Sequence, residues 1–236
     1  MNKKLRLFIY VVVFTVGIIA GKSHYTSLHF FKSLFSSTST TKQLSTFESF
    51  YVHKRSLFKM LASDNNNSKY KIAMLGDSIT DWGEWNELLN RDDVINRGIS
   101  GDTTDGVLKR LDGIDRSVSK VFILLGVNDL GKGKSVDHVF ENYRKIVIAL
   151  KEKKMLPIIQ STLYVNPSKN KRINNKDIEA LNTKLKKFAS VEGLTYIDLN
   201  QKLSKNKSLR ADYTYDGLHL NASAYRVWTE EIKPYL

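Results

Sequence analysis

The stretch Ile72-Ala73-Met74-Leu75-Gly76-Asp77-Ser78-Ile79-Thr80 decides the fold. Four apolar residues run into a glycine, an acid and a serine, the pattern of a buried parallel strand that ends in a tight turn. The turn sets Ser78 at the carboxyl end of the strand, where open α/β sheets hold their ligands. A serine there is either a helix N-cap or a reacting group. The stretches that follow in the chain bear on which.

Downstream, Val94-Ile95-Asn96-Arg97-Gly98 reads as a second strand running into Ile99-Ser100-Gly101-Asp102-Thr103-Thr104. Asp102 and Thr103 suit the N-cap of a helix through about Leu111. A glycine just before a helix start lets the backbone approach a ligand and aim its N–H there, so Gly101 is a candidate oxyanion donor. Val121-Phe122-Ile123-Leu124-Leu125 is apolar throughout, as a central parallel strand is, and ends in Gly126-Val127-Asn128-Asp129. Asn128 therefore shares the sheet edge of Ser78, and an Asn amide can stabilise an oxyanion by about 3–4 kcal/mol. A turn-forming role is the alternative for Asn128.

The rest alternates helix and strand: a helix over 136–151, a strand over 156–161, a polar loop over 164–175, a helix over 178–191 and a strand over 195–198. A loop over 206–214 leads to Tyr215-Asp216-Gly217-Leu218-His219-Leu220, and Asn221 is suited to cap a last helix. The alternation predicts an α/β doubly wound, five-stranded parallel sheet in the order 2-1-3-4-5. Trp82 and Trp85 are candidates to line a substrate pocket, with core or rim packing as the alternative. The loops over 164–175 and 204–214 are candidates for the substrate rim.

Of five histidines, His24, His29, His53 and His138 fall in the leading region or on a surface-type helix. His219 alone follows the fifth strand in a loop before a helix. A serine nucleophile needs a base with pKa near neutrality, which an imidazole supplies. Asp216, three residues earlier, can reach the other ring nitrogen and fix its tautomer. A satisfied structural histidine or a metal ligand is the alternative, but no second ligand stands at metal spacing.

The 236 residues hold one well-buried domain with an appendage. The absence of cysteine excludes disulfides, thiolate metal sites and cysteine nucleophiles. The net charge of +13 is uneven: residues 1–69 carry ten Lys/Arg against two Asp/Glu. The lysines of the remainder are scattered without interleaved aromatics, so a solvated basic face is expected and nucleic acid is not an expected partner. Lys3, Lys4 and Arg6 precede an apolar run over 7–20, the layout of a secretion signal without a clean cleavage site. An uncleaved membrane anchor over 1–22 is expected, with the following chain outside the cytoplasm; a cleaved segment would make it secreted. Residues 23–69 then form a stalk and a leading helix over 47–62, packed on a domain spanning 70–236.

Gly76-Asp77-Ser78, Gly101, Gly126-x-Asn128-Asp129 and Asp216-x-x-His219 together resemble the four blocks of the SGNH (GDSL-type) hydrolases, in that family's order. The runs around Gly101 and Asn128 also resemble the subgroup of platelet-activating-factor acetylhydrolase-like esterases and bacterial carbohydrate acetylesterases. The resemblance implies a serine esterase with a three-layer, flavodoxin-like fold and no cofactor. It implies Ser78 as nucleophile, His219 as base and Asp216 as its partner. It also implies an oxyanion hole from the Ser78 N–H, the Gly101 N–H and the Asn128 amide. Asp77, Trp82, Trp85 and Asp129 are carried as substrate-binding candidates. The first block reads Asp-Ser-Ile rather than Asp-Ser-Leu. The Gly-x-Ser-x-Gly elbow of the α/β-hydrolases lacks its second glycine, because Thr80 stands there. The expected substrate is a short acyl ester, foremost an O-acetyl group on a glycan. A lipid acyl ester, acyl transfer onto a surface polysaccharide, and a non-catalytic membrane-tethered binding module are the other readings.

Overall fold

Five parallel strands form the sheet in the order β2-β1-β3-β4-β5: β1 Ile72–Gly76, β2 Val94–Gly98, β3 Lys120–Leu124, β4 Leu156–Gln160 and β5 Thr195–Ile197. This is the expected order, and every pairing is parallel. The computed structural model describes residues 44–64 and 68–236. The expected membrane anchor over 1–22, and the stalk up to residue 43, lie outside the described residues. No described helix is long and apolar enough to cross a membrane.

Strand alternation divides the core in two. Ile72, Met74, Phe122, Leu124 and Ile158 face one side, where they pack with Trp85, Tyr225, Trp228 and Ile232. Ala73, Leu75, Val121, Ile123 and Ile159 face the other, against Val107, Tyr143, Ile146, Val147, Leu181 and Leu185. Helices α3 (Trp85–Leu89) and α9 (Ala222–Ile232) thus cover one face. Helices α4 (Thr104–Leu108), α6 (Val136–Glu152) and α7 (Asn175–Val191) cover the other. The result is three layers with the central strands buried on both faces, which is why those strands are apolar throughout.

The leading helix α1, Thr46–Asp64, belongs to the same compact unit as the sheet, which spans Thr46–Leu236. Between β1 and β2 the chain forms two short helices, α2 Ser78–Asp81 and α3. Asn96 divides them, its amide donating to the carbonyls of Thr80, Asp81 and Gly83 at 3.0–3.1 Å. The loop expected over 206–214 begins inside a small hairpin, β6 Ser204–Lys205 with β7 Ser208–Leu209. Asn206 and Lys207 turn it with φ of 51° and 57°, the left-handed pair of a type I′ turn. Lys207 carries no obvious turn signal, so the hairpin is hidden in the sequence.

Candidate active site

The turn that carries Ser78 is built by close approach. Gly76 ends β1 where a Cβ would collide with the Thr80 side chain and the Leu124 carbonyl. Asp77 then caps α2, its Oδ1 accepting from the Ile79 N–H at 3.0 Å. The Tyr225 hydroxyl of α9 donates to the Ile79 carbonyl at 2.7 Å and holds the short helix from the other side. Ser78 is left at the tip of β1, with its hydroxyl turned to the loop that precedes α9.

That loop carries the second half of the site. His219 Nε2 lies 2.9 Å from Ser78 Oγ, and its Nδ1 lies 2.5 Å from Asp216 Oδ2. The other Asp216 oxygen accepts from the backbone N–H groups of Leu218 and His219 at 2.9 and 2.8 Å. With Nδ1–H committed to a carboxylate, Nε2 is the nitrogen free to accept the serine proton. Burial pushes the Asp216 carboxyl up, but hydrogen bonds from the His219 ring and the two backbone N–H groups outweigh it and bring it down to about 2. It stays ionised throughout the neutral range. The loop over 164–170 braces this turn: the Asn166 N–H donates to the Gly217 carbonyl at 2.8 Å and Lys169 Nζ to the Tyr215 carbonyl at 3.2 Å. Part of the expected substrate rim thus supports the histidine loop.

The oxyanion candidates come from the neighbouring strand ends. Gly101 follows β2 with φ of +74°, a backbone that side chains other than glycine rarely adopt. Its N–H, like that of Ser78, donates to no protein group among the described residues. Asn128 lies in α5, Val127–Gly131, just after β3. It gives one amide hydrogen to the Asp102 carbonyl at 3.0 Å and keeps the other. Because β2, β1 and β3 are adjacent, three donors and one hydroxyl gather at one sheet edge.

Asp102 and Arg110 lock this edge. Arg110, 2% exposed, donates from Nε to Asp102 at 2.6 Å and from its terminal nitrogens to the Arg97 and Gly76 carbonyls at 3.0 Å. One guanidinium therefore ties the ends of β1 and β2 to the loop that carries Gly101. Sequence reasoning missed Arg110, since a lone arginine in a helix-like run carries no signal of burial.

Three of the four substrate-binding candidates need correction. Trp85 is 1% exposed and donates from Nε1 to the Thr80 carbonyl at 2.9 Å, so it is core and lines no pocket. Asp129 is fully buried and accepts from the Thr104 hydroxyl at 2.6 Å and the Thr104 N–H at 3.0 Å, pinning the start of α4. Asp77 is fully buried as the α2 cap; burial raises its carboxyl to about 7, against the pull of the Ile79 hydrogen bond and with help from the charges of Asp102 and Asp129. Trp82 remains at the site. It is 54% exposed and stacks on the His219 ring. Among the described residues no group of three or more His, Cys, Asp or Glu is placed to hold a metal ion.

An α/β sandwich with a serine, imidazole and carboxylate in one hydrogen-bonded row defines the serine-hydrolase class of site. The family comparison agrees. The model of the GDSL-like lipase/acylhydrolase family matches residues 74–227, and the chain belongs to that family. It is an enzyme that hydrolyses ester bonds. Among solved structures, a protein of Streptococcus pneumonia, provisionally described as a platelet activating factor, is 23% identical with a TM-score of 0.74. The match covers 90% of this chain and 99% of that one. A lipase/acylhydrolase from Enterococcus faecalis is 25% identical at TM-score 0.59, covering 70% of this chain and 96% of that one. Axe2, an acetylxylan esterase from Geobacillus stearothermophilus, is 20% identical at 0.57, covering 70% and 93%. These likenesses carry the fold. Among curated proteins, an N-acylneuraminate cytidylyltransferase from Streptococcus agalactiae serotype V is 34% identical over 127 residues. That match takes in 50% of this chain, which spans only 30% of the relative's length.

Proposed function

We propose that this enzyme is a serine esterase that removes short acyl groups, foremost O-acetyl, from a carbohydrate through an acyl-Ser78 intermediate. The observation that carries the reading is the Ser78–His219–Asp216 row, with both hydrogen bonds at bonding distance. Ser78 Oγ attacks the ester carbonyl as His219 Nε2 takes its proton. The tetrahedral oxyanion is held by the Ser78 and Gly101 N–H groups and the free Asn128 amide hydrogen. Collapse breaks the C–O bond to the alcohol, and the leaving oxygen takes the proton from His219. Water, deprotonated by the same imidazole, then releases the acyl group as a carboxylic acid and restores Ser78.

Support for a sugar on the alcohol side comes from Trp82. Its half-exposed indole lies beside the imidazole that protonates the leaving oxygen, and a flat aromatic face suits the apolar face of a sugar ring. The names of similar proteins point the same way: one is an acetylxylan esterase and another acts on N-acylneuraminate. We further propose that the basic and apolar residues over 3–20 tether the enzyme to a membrane, with the catalytic domain outside the cytoplasm.

The test compares acetate release from an O-acetylated glycan, fatty-acid release from a lysophospholipid, and acetyl transfer to an acceptor sugar, using wild type and Ser78→Ala. Release from the glycan by the wild type, falling by roughly 10⁵-fold or more in the variant, is the expected result. Faster turnover of the lysophospholipid, or transfer exceeding hydrolysis, would replace the substrate assignment. Glycan turnover by Ser78→Ala at the wild-type rate would remove the nucleophile.

A further inference from the structure

Helix α1 lies outside the residues matched by the family, yet one stripe of it runs along the catalytic domain to the oxyanion loop. The stripe is Phe58, Lys54, Tyr51 and Phe47, at the three- and four-residue spacing of one helix face. Phe58, 6% exposed, is covered by the Arg97 guanidinium, 4.6 Å from its ring centroid. Lys54 Nζ meets Asp81 Oδ1 at 2.9 Å, and Asp81 Oδ2 in turn accepts from the Ser100 hydroxyl at 2.8 Å. The Tyr51 hydroxyl donates to Asp102 Oδ1 at 3.1 Å. At the top, the tip of the Phe47 ring sits on Gly101 where a side chain would otherwise project. Phe47 is nonetheless 52% exposed, so much of the ring faces solvent beside the oxyanion loop.

We propose that Phe47 is the wall that limits the length of the acyl chain. The inference rests on the reading of Ser78 and Gly101 given above. The acyl chain and the oxyanion are bonded to the same carbonyl carbon, so the first atoms of the chain lie beside the groups that hold the oxyanion. The leaving alcohol lies instead toward His219, which protonates it, and Trp82 stands on that side. An aromatic ring fixed against Gly101 therefore borders the acyl side. The helix that carries the ring is held in place, because Tyr51, Lys54 and Phe58, four, seven and eleven positions further along the stripe, are anchored to Asp102, Asp81 and Arg97. An acetyl methyl clears such a wall and a longer chain meets it. Phe47 acts as a specificity-determining residue supplied by a segment that precedes the family domain.

The experiment measures kcat/KM on p-nitrophenyl acetate, butyrate and octanoate for wild type, Phe47→Ala and Phe47→Leu, all as the full chain, with thermal melting as the check on folding. The wild type is expected to fall steeply from acetate to octanoate. Phe47→Ala should raise the octanoate-to-acetate ratio by about tenfold or more, the scale set by relieving a methylene-sized clash in an apolar pocket. Phe47→Leu should fall between, and it decides the matter where the alanine variant does not fold. A ratio unchanged in the folded variants, or an equal loss on all three esters, overturns the wall. A wild type that favours octanoate overturns it too. A wild type that turns over none of the three refutes the acyl-serine reading itself, and that failure is distinct from an active enzyme whose chain-length profile ignores Phe47.

Discussion

The imidazole of His219 lies face to face with the indole of Trp82, ring centroids 4.1 Å apart and planes 16° from parallel. The imidazole is therefore held on three sides: Asp216 at Nδ1, Ser78 at Nε2 and an aromatic plane across one face. Stacks of this kind contribute about 0.5–1.5 kcal/mol beyond area burial. Trp82→Ala should lower kcat on p-nitrophenyl acetate by roughly 2- to 10-fold, the kinetic equivalent of that energy. Trp82→Phe should restore most of it. A larger rise of KM for an acetylated glycan than for the small ester would mark the ring as a sugar platform as well.

Asn128 gives one amide hydrogen to the Asp102 carbonyl, and the proposed mechanism assigns the other to the oxyanion. Asn128→Ala should reduce kcat by roughly 10²–10³-fold with KM little changed, because the lost hydrogen bond strengthens only as charge develops on the oxygen. Steady-state kinetics on p-nitrophenyl acetate measure this. An effect confined to KM would make the residue a ground-state contact.

Arg110 and Asp102 form an ion pair with both side chains 1% exposed. Arg110→Met strands the carboxylate and should destabilise the fold by about 3–5 kcal/mol, as breaking a buried pair does. The double variant Arg110→Met/Asp102→Asn should recover part of that loss in a denaturant titration, since no buried charge is left unpaired. Failure of the double variant to recover any stability would place the cost in the lost hydrogen bonds to the Gly76 and Arg97 carbonyls.

Asp77 couples the nucleophile turn to pH. Its carboxyl is raised from 3.8 to about 7 by burial, so the folded protein holds a proton that the unfolded chain releases near pH 4. The stabilisation from that proton is full below about pH 4 and is lost as pH rises toward 7, by an amount on the order of a few kcal/mol. The melting temperature of Asp77→Asn relative to wild type should accordingly rise between pH 5 and pH 8. A constant difference across that range would mean that Asp77 is ionised in the folded state throughout.

Much of the site could be read from the chain because each functional side chain follows an apolar strand or precedes a helix cap. Ser78 after β1, Gly101 after β2 and Asn128 after β3 share an edge once the strands are parallel, and local pattern suffices to place them there. Asp216 and His219 were legible as a pair because one turn of chain connects them. The candidates that proved structural, Trp85, Asp77 and Asp129, sit within a few residues of the functional ones. Sequence proximity could not separate a side chain that points into the edge cleft from one that points into the core, since neighbouring residues on a turn diverge.

Sequence alone determined the order of the sheet and placed the candidate reacting groups at one edge of it, because hydrophobic periodicity and turn chemistry act over a few residues. Tertiary structure alone decided what holds those groups still: the Arg110 guanidinium on three separate segments, the Trp82 stack on His219, and the α1 stripe that ends at Gly101. Most of those contacts join residues that are far apart in the chain, such as Arg110 with Gly76 and Trp82 with His219. Their energies depend on burial and on distances of a few ångströms, which exist only once the layers have packed.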